Sequence, residues 1–304
     1  MKTRSVLLFC CRGNVFDISS VQSYNVAMCG DIQTMNAMAF FLKNPVFRYE
    51  EFAAWKIEQG TSNPRSIISA IQHYIKTGRL LTVRRGIFAF IPPGETKSSI
   101  QIDPYILSSK IAPDSILAYH SALDLHGFAY SVFQQFTFLT PQKNKPFEFR
   151  EQWFQPVSIP SLLKKKGQSD FGIQLINRFG VDIKVTGPER TFVDVLDRVE
   201  LSGGWEEVCR SIVGMVVLNV DHVIEYCLLL ENATLAAKVG YFLEQRQGAF
   251  AAPLDKLSLL QNVKPKSPQY IADRHQESHF NSKWNLIIPL AILNQSWEEP
   301  HYDI

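Results

Sequence analysis

The stretch NPRSIISAIQHYIKTGRLLTVRRGIFAFIPPG, Asn63 to Gly94, carries Arg65, Lys76, Arg79, Arg84 and Arg85 and no Asp or Glu. The acid-free window reaches back to Gln59. A solvated surface needs charge, but not charge of one sign; a surface that meets phosphates does. Asn63 suits an N-cap and Pro64 the first helical position, so the spacing predicts a helix starting here. At about 100° per residue, Ile67, Ile68, Ile71, Tyr74 and Ile75 fall on one apolar arc. The opposite arc holds Arg65, Ser66, Ser69, Gln72, His73 and Lys76. Each can hydrogen-bond to a base edge or a phosphate, and none is acidic. Gly78 ends the helix. RLLTV and GIFAF, joined through Arg84-Arg85-Gly86, read as a two-stranded hairpin with a basic tip.

Working outward toward the N-terminus, Tyr49–Gln59 reads as a helix with Phe52 and Trp55 three apart and Gly60 at its end. DIQTMNAMAFFLKN, 31–44, reads as another, with Asp31 as its cap and Met35, Met38, Phe41 and Leu42 on one side. Asn44-Pro45 breaks it. Helix, helix, turn, helix and hairpin is the order of a winged helix-turn-helix, whose third helix enters the major groove while the wing reaches the neighbouring backbone or minor groove. The candidate DNA contacts are therefore Asn63, Arg65, Ser66, Ser69, Gln72, His73, Lys76, Arg79, Arg84 and Arg85. A protein–protein adaptor of the same order is the alternative. Residues 1–30 open like a signal peptide, but Arg12 interrupts the short apolar run and no small-residue cleavage site follows. They are expected to be a disordered or mis-called leader.

Downstream, Pro92 to Ser99 is a compositional break and the expected boundary between a module over 31–94 and a larger one over 100–304. DPYILSSKIAPDSILAYHSALDLHG reads as two helices. VFQQFTFLT, PFEFR, QWFQPVSI, FGIQLINRFG and VDIKVT read as strands punctuated by Gly and Pro. PERTFVDVLDRV, GWEEVCRSIVG, DHVIEYCLLL and NATLAAKVGYFLEQ read as helices. The expected fold is α+β: a winged helix-turn-helix domain followed by a larger mixed-sheet domain.

Composition narrows the class. The chain has 304 residues, 46% hydrophobic and 20% charged, with a net charge of +2. Lys and Arg outnumber Asp and Glu by 12 to 6 in residues 1–100, whereas the acids lead by 15 to 9 in residues 191–304. That asymmetry suits a nucleic-acid-facing front and an acidic rear open to a basic partner. The five cysteines form no C-x-x-C, and no His spacing completes a zinc pattern, so reduced thiols in a cytoplasmic protein are expected. No apolar run approaches the roughly 20 residues of a membrane span. Chemistry candidates in the rear module are thin. Asp170, Asp182 and Lys184 imitate the carboxylates and lysine of a Mg²⁺-dependent nuclease. D-x-K triplets arise easily by chance, and the expectation is no catalytic residue, no metal and no cofactor. His120 and His126 read as packed or surface residues, Glu189, Asp194 and Asp197 as helix-start and surface acids, and Cys209 and Cys227 as core thiols.

YIKTGRLLTVRRGIFAF followed by DPYILSSKIAPDSILAYHSALDLHG resembles the AbiEi-like antitoxins of abortive-infection, type IV toxin–antitoxin systems. VTGPERTFVDVLDRVELSGGWEEV, ENATLAAKVGYFLEQ and WNLIIPLAILNQSWEE are similar to the same family, which extends the resemblance over residues 31–299. It implies a transcriptional repressor that binds inverted repeats in its own promoter, and a rear domain that helps counter a nucleotidyltransferase toxin in phage defence. Carried over, the recognition helix is Asn63–Thr77 and the wing tip Arg84–Gly86. A stand-alone regulator without a toxin is the other reading the resemblance allows.

Overall fold

The computed structural model describes residues 32–246, 254–295 and 297. The leader, Asp31, Cys10, Cys11 and Cys29 lie outside them. The described residues divide into two units between Lys43 and Asn44. In the first, helix α1 runs over Ile32–Lys43. Its buried side is set by Ala37 and Phe41, four residues apart, while Leu42, expected on that side, is 66% exposed. Leu42 lies about 100° round the helix from Phe41, at the edge of the apolar arc.

The second unit opens with strand β1, Val46–Arg48, which the Asn44-Pro45 break conceals in the sequence because it is only three residues long. Helices α2 (Tyr49–Glu58) and α3 (Pro64–Lys76) follow, then β2 (Leu80–Arg84) and β3 (Ile87–Phe90). The strands form a small antiparallel sheet in the order β1-β3-β2. Gly60 closes α2 at φ +85, a conformation other residues resist.

Beyond the break at Pro92–Ser99 come α4 (Pro104–Ile111), β4 (Ile116–Leu117), α5 (His120–Leu125), β5 (Gln135–Thr140), β6 (Phe147–Phe149), β7 (Gln152–Ser158), α6 (Ser161–Lys165), β8 (Ile173–Arg178) and β9 (Val181–Thr186). The strands make a mixed six-stranded sheet ordered β6-β7-β5-β4-β9-β8, with β4–β9 and β5–β7 parallel. Alternation along each strand divides the core between the two faces. Leu117, Phe136, Phe138, Phe154 and Val185 join α4 and the small sheet's Val46, Ile87 and Ala89 in one apolar cluster. Ile116, Leu139 and Val157 point the other way, into a helical layer. That layer comprises α7 (Pro188–Asp197), α8 (Trp205–Gly214), α9 (Val220–Leu229), α10 (Ala233–Gln245) and α11 (Leu254–Asn262).

Not legible in the sequence is a second mixed sheet near the C-terminus. It orders β10 (Gln269–Tyr270), β12 (Leu286–Pro289) and β11 (Ser278–Asn281), and α12 (Leu290–Asn294) follows. Trp284, fully buried, fits against α10 at Gly240, where a Cβ would come within 2.1 Å of its ring. The fold is thus α+β, as expected. Among the described residues no helix is long and apolar enough to cross a membrane.

Candidate nucleic-acid interface

Asn63 Oδ1 accepts from the Arg65 amide at 3.0 Å and so caps α3, with Pro64 in the first turn. The helix buries Ile67 and Ile71, and Tyr74 and Ile75 are half-buried. Ile68 departs from the expected apolar arc: it is 45% exposed. It sits about 100° from Ile67, at the margin of the face that the small sheet covers. Asn63, Arg65, Ser66, Ser69, Gln72, His73 and Lys76 are all exposed. Lys76, with His73 a turn before it, lies at the helix C-terminus, where positive charge meets the negative end of the dipole. Thr77 Oγ1 donates to the His73 carbonyl at 3.0 Å, and Gly78 takes φ +72 to turn the chain into β2. Arg79 at that turn is half-buried.

The hairpin tip is held from two sides. Gly86, at φ +78, accepts through its carbonyl from the Tyr49 amide at 2.8 Å. Arg85 is exposed at the tip. Arg84 is not: its guanidinium lies 4.9 Å from the centre of the Phe147 ring and the residue is half-buried. The register shifts between Thr82 and Arg84, just before the tip. Of the two wing arginines, then, only Arg85 projects freely.

Absence of acids along the sequence is not absence of acids in three dimensions. The Tyr49–Gly86 hydrogen bond brings the first turn of α2, with Glu50 and Glu51, up to the wing. Both carboxylates are matched by cations there. Arg48 binds Glu50 at 3.2 Å, and Lys110 of α4 binds Glu51, whose other oxygen accepts from the Arg48 amide at 2.7 Å. The Arg48–Glu50 pair is local, whereas the Lys110–Glu51 pair has no local signal because its partners lie 59 residues apart.

The remaining polar residues separate into three places. Asp182 and Lys184 are exposed on β9 and line a cleft of about 380 Å³ with Arg48, Glu51 and Lys110. Asp182 accepts from Asn177 Nδ2 at 2.7 Å, and Asp170 does not line that cleft. Among the described residues no group of three His, Cys, Asp or Glu side chains is placed to hold a metal.

In the helical layer, Asp194 corrects the expectation of a surface acid. It is buried, accepts from Tyr226 Oη at 2.7 Å and sits 3.4 Å from Arg190 Nε, an ion-pair distance outside hydrogen-bond geometry. Arg190 is itself buried and donates through Nη1 to the Ser169 and Phe171 carbonyls. Burial pushes the Asp194 carboxyl up to about 6, against the lowering pull of Arg190 and the Tyr226 bond. Sequence places Asp194 four residues after Arg190, a spacing as common on solvated faces as in cores.

The third place is a buried pair. His120 Nε2 is 3.2 Å from Glu207 Oε1, and the imidazole stacks on Phe133 with ring centres 3.9 Å apart. The same carboxylate oxygen accepts from the amides of Tyr130 and Ser131 and from Ser211 Oγ. Burial depresses the His120 pKa, with Glu207 opposing. Burial acts upward on Glu207, but hydrogen bonds from Ser131 and Ser211 and the charge of His120 outweigh it and leave its pKa lowered. His126 meets the Thr186 carbonyl at 2.7 Å. Cys209 and Cys227 are buried thiols pushed up to about 12 by burial, so neither is a ready nucleophile.

No protein-family model and no curated protein matches the chain. Among solved structures it is similar to the RV2827C protein from Mycobacterium tuberculosis, at a TM-score of 0.54. That similarity covers 87% of this chain and 94% of the other at 18% identity. At that identity the likeness is one of fold alone.

Proposed function

We propose that the protein is a winged helix-turn-helix transcriptional repressor that binds double-stranded DNA at its own promoter, and that it serves as the antitoxin of a type IV toxin–antitoxin pair. The observation that carries the DNA reading is the exposed face of α3. Seven polar side chains from Asn63 to Lys76 stand on it with no acid among them, next to a hairpin tipped by Arg85. The order α1, β1, α2, α3, β2, β3, with β1 added to the hairpin as a third strand, supports placing that helix in the major groove. In this reading Arg65, Ser69 and Gln72 address base edges, while Ser66, His73, Lys76, Arg79 and Arg85 bind backbone phosphates. Asn63 holds the helix start. Arg84 braces the wing through its contact with Phe147.

The antitoxin part rests on the resemblance of the rear helices to the AbiEi-like family, and the partner is then a nucleotidyltransferase toxin. No step of catalysis is assigned to this chain. The test is direct binding of the full chain to the DNA upstream of its own reading frame, against a scrambled duplex of equal length. Equal affinity for both duplexes, or none for either, is the outcome against it.

A further inference from the structure

The hairpin tip is tied to the larger sheet at a defined place. Arg84, the last residue of β2, lies over Phe147, the first residue of β6. Three residues on, Arg150 donates to the carbonyls of Lys97 and Ile100, in the segment that joins the small sheet to the rest. Strand β6 is therefore held against both the wing and the joining segment. Connectivity then limits how far the Pro141–Pro146 loop can stand from that contact. Lys145 is two residues from Phe147, so its Cα is within about 7 Å, and that of Lys143 within about 14 Å.

Both lysines are exposed. Lys143 stands at the apex of a turn in which the Asn144 amide donates to the Gln142 carbonyl at 3.0 Å. No Asp or Glu lies between Pro141 and Phe147 in the chain; Asp114 accepts from Thr140 Oγ1 at 3.0 Å where the loop begins, and Glu148, next along β6, points to the opposite face from Phe147. A duplex carries one charge per about 1.7 Å of axis, so a span of about 14 Å beside the wing offers about eight phosphate charges.

We propose that the Pro141–Pro146 loop is a second contact with the DNA backbone, in which Lys143 and Lys145 bind phosphates of the duplex that the wing meets. The proposal rests on the DNA-binding reading above. It makes the larger domain part of the DNA footprint rather than a passenger on it. Such contacts fix position and add affinity without reading bases.

The test titrates the full chain against a mixed-sequence duplex of about 30 base pairs at several salt concentrations. Lys143→Ala/Lys145→Ala should flatten the log–log salt slope by about 1.8 and weaken binding at about 0.1 M salt by up to about 60-fold. Lys143→Arg/Lys145→Arg should keep the wild-type slope, because the charge is kept. An unchanged slope in the alanine pair, while Arg85→Ala still weakens binding, would overturn the loop contact and leave the wing reading standing. Equal losses in the alanine and arginine pairs would show a structural role for the loop and overturn it also. If the wild-type chain binds no duplex, both the contact and the DNA reading fall.

Discussion

Arg190 and Asp194 show what a buried ion pair costs and what it holds. Each is almost fully enclosed, so removing one leaves the other as an uncompensated charge in the core. Arg190→Met alone should lower stability by about 3–5 kcal/mol, measured by urea unfolding. The pair Arg190→Met/Asp194→Leu should lose clearly less than the two single losses added together. Additivity within about 0.5 kcal/mol would show that the two side chains do not interact. His120 gives a second prediction at this scale. Its folded pKa is depressed by burial, so between that value and the unfolded value near 6.5 the unfolded chain binds more protons. Its contribution is therefore complete above about 6.5 and is lost as pH falls below it. Asp194 acts in the other direction: raised to about 6, it favours the folded state as pH falls from there toward the unfolded value near 3.8. His120→Gln, which keeps a donor for Glu207, should thus leave the variant less sensitive to acid than the wild type between about pH 6.5 and 5. Urea midpoints across that range check this, and parallel profiles for the two proteins would count against it. Neither cluster was legible in the sequence: His120 and Glu207 are 87 residues apart, and Asp194 looks like any helix acid until Tyr226 is seen against it.

At the scale of elements, the proposed DNA reading divides binding between α3 and the β2–β3 hairpin. The helix was readable almost in full, since capping by Asn63, the run of isoleucines and Gly78 are local signals that agree. The hairpin was readable too, but β1 was not, because three residues after Asn44-Pro45 carry no period. Without β1 the Tyr49–Gly86 bond is invisible, and with it the approach of Glu50 to the wing. The contact of Arg84 with Phe147 was equally hidden, as it joins residues whose pairing only the tertiary fold determines. Arg85 is consequently the wing residue whose loss should matter. Arg85→Ala should weaken all DNA by a similar factor and flatten the log–log salt slope by about 0.9. Gln72→Ala should instead narrow the gap between promoter and scrambled DNA by roughly 1–3 kcal/mol with little change in slope. Titrations at several salt concentrations that gave the reverse pattern would place α3 outside the groove.

Across the whole chain, a run of strand segments followed by a run of helical ones was enough to read an α+β fold, and β5 to β9 of the central sheet fall within the stretches read as strands. What escaped were pieces too short for a period, such as β4, and the C-terminal sheet, whose strands of two and four residues depend on Trp284 filling the space over Gly240. The candidate interface is legible because its signal is compositional and local: one sign of charge over 36 residues from Gln59 to Gly94. The balance of the chain reverses behind it, with acids in excess over residues 191–304. In the proposed function the basic front meets DNA and the acidic rear suits a second protein. The most direct measurement is the affinity of the purified full chain for the DNA upstream of its own reading frame, set beside a scrambled duplex at the same salt concentration. Tighter binding to the upstream duplex, by a factor on the order of 10³ or more, is the expected result, as specific regulators show. Equal affinity for the two, or no binding to either, would contradict it.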